Sequence, residues 1–211
     1  MLVAALTVVL GVSTVMTPAA AAQQRSVLSL LRSLDVTLER PSGYDRELFP
    51  HWDYLGDDCD VRDRVLITEA RRGPSTGTSC PVGRGQWFSA FDGVIVRDPS
   101  ELDVDHMVPL AEAWASGARR WSTALRESFA NDLGYAGSLI AVTASSNRSK
   151  GDQDPAEWLP PRTSYRCTYV SEWIAVKWRW RLSVDSREQA SLLVLVDSCG
   201  NPRVTPPARA R

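Results

Sequence analysis

The stretch Leu102-Asp-Val-Asp-His-Met-Val-Pro-Leu110 places a carboxylate directly beside an imidazole, at Asp105 and His106. A second polar stretch further along the chain, Ser145-Ser-Asn-Arg-Ser-Lys-Gly-Asp152, supplies the carboxamide of Asn147 and the amine of Lys150. A hard oxygen ligand beside a general base is the minimum that metal-assisted hydrolysis of a phosphodiester requires. The chain contains 2 histidines, so His106 has little competition for the role of base.

The elements around these residues are predicted to bring them together. Residues 102–110 begin as a strand and end at Pro109, and residues 139–143 form a short apolar strand. The Asn-x-x-Lys segment that follows enters a helix. Two strands followed by a helix would set a metal between the strand pair and the helix start, so we predict an α+β fold with a ββα-metal core.

Further elements surround this core. An Asp-Gly turn at residues 92–93 predicts a hairpin over residues 86–96. Apolar periodicity and capping residues predict a helix at each of 26–38, 60–70, 111–118, 122–131, 165–182 and 186–198, with a further helix start at 154–157.

Composition limits the classes of function. The chain has 211 residues, of which 44% are hydrophobic and 23% charged, as in an ordinary globular domain. A single domain of this length buries a substantial core without help. The net charge is −1, so any contact with nucleic acid has to come from a local patch.

The N-terminal residues 1–22 read as a signal peptide, with cleavage near Ala22-Gln23 and secretion of the mature chain. No basic residue precedes the apolar run. The alternative is a membrane anchor, which the run disfavours because it is shorter than the roughly 20 residues of a spanning helix. We expect no membrane contact after cleavage. The remaining chain divides into an N-terminal helix and linker (23–43), a main domain (44–200) and a disordered tail (201–211).

Four cysteines form an even set, which in an exported protein indicates two disulfides. Three pairings are open. Cys59–Cys80 with Cys167–Cys199 is favoured because each bond closes a short loop within one half of the chain.

The two polar stretches resemble the two halves of an HNH endonuclease motif, also called a His-Me finger. The flanking segments 111–118, 129–132 and 154–161 resemble a secreted bacterial HNH family related to the C-terminal HNH domain of GmrSD-type restriction endonucleases. The close similarity runs from about Trp87 to Cys199, and a looser one begins near Tyr44.

This resemblance implies a role for each motif residue. His106 occupies the place of the general base and Asp105 that of the first metal ligand. Asn147 occupies the place of the second ligand, and Lys150 that of a lysine that holds a substrate phosphate. The middle position, which usually carries an Asn that orients the base, is Ser138 here. Either Ser138 or a backbone carbonyl would then orient His106.

Two oxygen ligands favour Mg²⁺ or Mn²⁺ over Zn²⁺. An unperturbed histidine pKa of about 6.5 suits a base at neutral pH. The predicted function is therefore a secreted metal-dependent endonuclease that cleaves DNA, with RNA as a possible substrate. Backbone contacts would give low sequence specificity.

Other residues carry two interpretations each. Residues 177–181 interleave basic and aromatic side chains, as in a nucleic-acid platform, but also fit an amphipathic helix with Trp173 and Trp180 in the core. His51 is either a second catalytic group or packed structure. Arg148 and the pair Arg119-Arg120 are either phosphate contacts or solvated surface. A set of acids is either a calcium loop or a solvated turn: Asp57, Asp58 and Asp60.

Three rival functions remain. A non-catalytic secreted module that binds nucleic acid or a protein partner would keep the fold without cleavage. A toxin would use the same chemistry together with an immunity protein. An enzyme acting on another phosphodiester would differ in its substrate.

Overall fold

The structure, a computed structural model, describes residues 23–74, 80 and 82–210. The predicted signal peptide lies outside the described residues. The helices are α1 (Val27–Leu31), α2 (Val61–Glu69), α3 (Leu110–Ala115), α4 (Thr123–Ala130), α5 (Ala144–Lys150), α6 (Arg166–Trp180) and α7 (Ser186–Ser198). The strands are β1 (Arg25–Ser26), β2 (Tyr54–Gly56), β3 (Cys59–Asp60), β4 (Trp87–Phe88), β5 (Ile95–Val96), β6 (Leu102–His106), β7 (Leu139–Thr143) and β8 (Arg203–Val204). The fold mixes helices with small two-stranded sheets.

The central pair of strands is β6 and β7, which run antiparallel from Leu102↔Thr143 to His106↔Leu139. Side chains alternate between the two faces of such a ladder. One face carries Leu102 and Val104 into a small apolar core with α2. The opposite face carries Asp103 and Asp105 toward α5. The β6–β7 pair thus lies between the two apolar cores.

Local signals explain where the helices begin. Asp60 accepts a hydrogen bond from the Asp63 backbone N–H and forms a capping box at α2, and Asp185 caps α7. Thr143 caps α5 by accepting from the Ser146 N–H. The Thr143 hydroxyl also donates to Asp92 at 2.5 Å, which ties the turn of the β4–β5 hairpin to the start of α5.

Helix α6 forms the axis of the main core. Its buried residues include Tyr169, Trp173 and Trp180, and α1 and α7 pack against it. Disulfides join Cys59 to Cys80 and Cys167 to Cys199, the two pairs with the shortest loops.

Three segments differ from the predictions. Helix α1 ends at Leu31, and the segment from Val27 to Leu34 packs into the main core. Residues 154–157 form a turn, since Pro160-Pro161 follows at once and a residue before proline avoids the helical region. The tail is ordered as far as residue 210, because β8 pairs with β1 and the Arg209 side chain covers the Trp178 ring.

Candidate active site

His106 is the last residue of β6, and it lies beside the end of α4. Its Nε2 atom lies 2.8 Å from the carbonyl oxygen of Ala130, the last residue of α4. The final carbonyls of a helix have no partner within the helix, so this oxygen is free to accept. A carbonyl cannot donate, and Nε2 therefore carries the proton. The lone pair is left on Nδ1, where a base requires it.

The imidazole is almost completely buried, with 6% of its surface exposed. Burial lowers the pKa of His106 to about 3, although the bond to the Ala130 carbonyl acts in the opposite direction. The ring is therefore neutral at pH 7. The ordinary histidine pKa expected from the sequence is wrong for this site, because that expectation omitted desolvation.

Two aromatic residues from the loop before β2 cover His106. The Trp52 ring stacks on the imidazole, with the centroids 5.4 Å apart and the planes 25° apart. The His51 ring lies 6.5 Å from it, edge to face. Trp52 has a φ of 62°, a left-handed conformation that is costly for a bulky residue. Asn131 holds this loop by accepting from the Asp53 N–H and donating to the Pro50 carbonyl.

Asp105 is paired with a buried lysine. Lys150 Nζ donates to Asp105 Oδ2 at 2.6 Å and to the His106 carbonyl at 2.7 Å, and no part of Lys150 is exposed. Burial raises the pKa of Asp105, and the Lys150 ammonium acts against that rise. The lysine therefore fixes the carboxylate in place. It has no exposed atom for a substrate phosphate, so the predicted phosphate-binding and catalytic role of Lys150 is wrong.

Asn147 lies in the middle of α5 and faces the same strand. Its Nδ2 atom donates to Asp103 Oδ2 at 3.0 Å, which leaves the amide oxygen as the free end of the group. Asp103 precedes Asp105 by two residues and shares its face of β6. Sequence reasoning missed Asp103, although strand alternation from Asp105 was enough to find it.

A cavity of about 340 Å³ joins these groups. The residues around it include Asp105, His106 and Asn147, and it is bordered by Asp152 and by the exposed guanidinium groups of Arg46 and Arg148. Arg46 Nη2 lies 3.4 Å from His51 Nε2. Arg46 was missed because it lies far from the motif in sequence.

The polar atoms at this cavity fit a hard divalent cation. Asp105 has a second carboxylate oxygen beyond the one bound by Lys150, and Asn147 presents its amide oxygen. Both are oxygen donors, and no thiolate lies among the residues around the cavity, which favours Mg²⁺ or Mn²⁺ over Zn²⁺.

Ser138 does not orient the base. Its hydroxyl donates to Asp132 Oδ2 at 2.7 Å, and Asp132 also accepts from Arg179 and Trp180. Although burial alone would raise it, these hydrogen bonds lower the pKa of Asp132. Ser138 thus belongs to a structural network beneath the loop, and the Ala130 carbonyl takes the orienting position.

The other candidate binding residues have structural roles. Residues 177–181 are not a nucleic-acid platform, because Lys177 is fully buried and Arg179 is paired with Asp132. Asp60 caps α2, and Asp57 and Asp58 form an exposed turn with positive φ.

Two other features of the described residues lie away from the site. A cavity of about 570 Å³ lies beside α2 and is lined by neither Asp105 nor His106. Glu39, Glu112 and Glu188 are close enough to share an ion, but the Lys177 ammonium already lies at 2.6 Å from both Glu112 and Glu188. A lysine therefore supplies the cation there.

Comparison with known proteins places the chain in a family. Residues 80–195 match the model described as GmrSD restriction endonucleases, C-terminal domain, and this match spans β4 to most of α7. It includes every residue around the candidate cavity except Arg46, while His51 and Trp52, which cover His106, lie outside it. The chain belongs to this family. Membership indicates a nuclease-related function. No solved structure gives a significant match.

A curated relative extends the similarity beyond the family domain. An uncharacterized secreted protein of the fungus Arthroderma benhamiae is 42% identical over 196 residues, which cover 92% of this chain and 95% of the relative. The relative is fungal, whereas the sequence resemblance pointed to a bacterial family. Within the described part of the chain no helix is both long and apolar enough to cross a bilayer. A secreted relative and two disulfides agree with an extracellular location.

Proposed function

We propose that this protein is a secreted, metal-dependent endonuclease of the HNH type that hydrolyses phosphodiester bonds of nucleic acid, with DNA as its main substrate and low sequence specificity. One observation carries the proposal. The end of β6, helix α5 and the segment that carries Arg46 bring an oriented imidazole, the oxygen-bearing side chains of Asp105 and Asn147, and two arginines to a single cavity. Membership in a restriction-endonuclease family supports the same chemistry.

Each side chain has one task in this proposal. His106 takes a proton from the attacking water at Nδ1, because Nε2 is committed to the Ala130 carbonyl. Asp105 and Asn147 hold Mg²⁺ or Mn²⁺, and Lys150 positions Asp105. Arg46 and Arg148 bind the oxygens of the scissile phosphate. A bound divalent ion supplies positive charge that stabilises the phosphate and its leaving oxygen.

The surroundings of the base fix its orientation and its tautomer. Trp52 and the end of α4 exclude water from the buried side of the ring, so the neutral imidazole is held in one orientation. Arg46 lies on the open side and approaches His51, which donates from Nδ1 to the Phe49 carbonyl. His51 thus orients a phosphate-binding arginine rather than acting as a second base.

The test is plasmid nicking by purified, disulfide-intact protein without its predicted signal peptide. Reactions contain Mg²⁺, Mn²⁺ or EDTA, and parallel reactions contain RNA. We expect nicking with either metal, none with EDTA, and a loss on the order of 10³-fold for Asp105→Asn. Glu112→Gln is the control, because it alters a buried carboxylate that does not line the cavity. A folded wild-type protein that binds DNA but cuts neither nucleic acid with any metal would instead support a binding module.

A further inference from the structure

A second basic cavity lies at the far end of α3. Its volume is about 300 Å³, and Ser116 and Gly117 line it where α3 ends. Three arginines surround it: Arg40, Arg119 and Arg120. We call it the basic subsite. No comparison or motif assigns a role to it.

The three guanidinium groups have no anionic partner within residues 23–74, 80 and 82–210. None of the ion pairs found there includes Arg40, Arg119 or Arg120. The adjacent Glu39 does not offset their charge, because burial together with neighbouring acids raises the pKa of its carboxyl to about 8. In a chain of net charge −1, this cavity is a local concentration of positive charge.

Two chain segments run side by side from the catalytic cavity to the basic subsite. Leu110 begins α3 at the catalytic cavity, and Ala115 ends it at the basic subsite. Residues 40–46 follow α3 in the opposite direction, with Arg46 at the catalytic cavity and Arg40 at the subsite.

Hydrogen bonds hold these two segments together. The Arg40 N–H donates to the Ala115 carbonyl at 3.1 Å, and Trp114 Nε1 donates to the Ser42 carbonyl at 3.2 Å. The two cavities are therefore opposite ends of one ridge.

The length of the ridge fits the spacing of a nucleic-acid backbone. Five residues of helix rise about 7.5 Å, and six residues of extended chain reach at most about 20 Å. One strand of DNA advances about 3.4 Å per phosphate. A phosphate at the basic subsite would then lie roughly two to six nucleotides from one at the catalytic cavity.

We propose that the basic subsite binds a non-scissile phosphate of the same strand that is cleaved beside His106. This inference rests on the proposed nuclease function and adds a binding site that fixes the minimum length of a good substrate. Arg40, Arg119 and Arg120 would clamp that phosphate, while Arg46 and Arg148 bind the scissile one.

The test measures affinity against length. Fluorescein-labelled single strands of 2, 4, 8 and 12 nucleotides are bound in EDTA and followed by anisotropy. For the wild type we expect affinity to rise steeply between 2 and 8 nucleotides. For Arg119→Gln/Arg120→Gln we expect the 12-mer to bind about 10-fold more weakly, with a salt slope reduced by about 0.7, the value for one phosphate contact on a single strand. The 2-mer affinity should fall by less than that of the 12-mer, since a 2-mer cannot reach both cavities and can still bind at the catalytic cavity.

The matched control is Arg32→Gln/Arg97→Gln, which removes the same charge from two arginines that line neither cavity. The subsite would be overturned if both double variants weakened binding equally, or if the 12-mer affinity were unchanged in Arg119→Gln/Arg120→Gln. A wild type that binds no oligonucleotide would also overturn it. Arg40→Gln repeats the test if the double variant does not fold. A wild type that shows the length effect without cutting any substrate would refute the nuclease and leave the subsite standing.

Discussion

The chain has two lysines, and the structure buries both completely, in different surroundings. Lys177 contacts Glu112 and Glu188 at 2.6 Å each and the Ser183 carbonyl at 2.9 Å. Lys150 contacts one carboxylate, Asp105, and one carbonyl. Both regions use a buried ammonium to hold acids in fixed positions.

The two regions differ in what lies beyond the carboxylates. Glu188 also accepts from Trp173 Nε1 at 2.6 Å, so its two oxygens are both bound inside the core. Asp105 borders a cavity and keeps one oxygen toward it. A buried lysine therefore serves stability in the first region, and in the second it prepares a carboxylate to receive a ligand.

The largest stability effect is expected at Lys177. Lys177→Met leaves two buried carboxylates without a cation, which costs about 3–5 kcal/mol of unfolding free energy. We expect a Tm about 10 °C lower at pH 8, measured by calorimetry. The triple variant Lys177→Met/Glu112→Gln/Glu188→Gln should recover most of the loss. An unchanged Tm in the single variant would show that the three groups do not form a stabilising unit.

A smaller loss is expected at Lys150, because water or a metal ion can reach Asp105 through the cavity. For Lys150→Met we predict a loss of about 1–3 kcal/mol. We also predict that Mg²⁺ raises the Tm of this variant by more than it raises that of the wild type, whereas it raises the Tm of Lys177→Met by no more than that of the wild type. Equal losses in both variants with no response to Mg²⁺ would remove the distinction between the two regions.

The smallest effect concerns Glu39, whose Oε1 atom is buried without a hydrogen-bond partner among the described residues. Its folded pKa of about 8 lies above the ordinary glutamate pKa of 4.5, so the folded protein holds a proton that the unfolded chain loses at lower pH. The unfolding free energy that this proton contributes is fully present below pH 4.5 and is lost as the pH rises through 8.

Glu39→Gln should therefore reduce the fall in unfolding free energy between pH 5 and pH 8. The group is partly exposed, so we expect less than about 1 kcal/mol. Urea titrations at pH 5 and pH 8 measure this difference in unfolding free energy, with Glu47→Gln as an exposed control. A fall identical to that of the wild type would contradict the raised pKa.

The sequence predicted the elements that its own local chemistry determines. The bounds of β7 and α7, the cap at Ser122, and the Asp-Gly turn of the β4–β5 hairpin agree with the structure. In each case residues close in sequence decide the conformation. The motif likewise predicted which strand and helix lie at the candidate site.

The tertiary partners of the site residues could not be predicted in this way. The orienting carbonyl of Ala130 is backbone and leaves no side-chain signal. Arg46 and Trp52 reach the site from a distant loop. The burial of Lys150 depends on how α5 packs against β6, which a motif cannot convey.

The most direct test of the account is the nicking rate of His106→Gln against the wild type with Mg²⁺ and Mn²⁺. Glutamine keeps an N–H that can donate to the Ala130 carbonyl but cannot accept a proton as a base. We predict a rate about 10²–10⁴-fold lower, with Tm and metal-induced stabilisation close to those of the wild type. A variant that is folded, binds metal and nicks plasmid at the wild-type rate would contradict the assignment of His106 as the base.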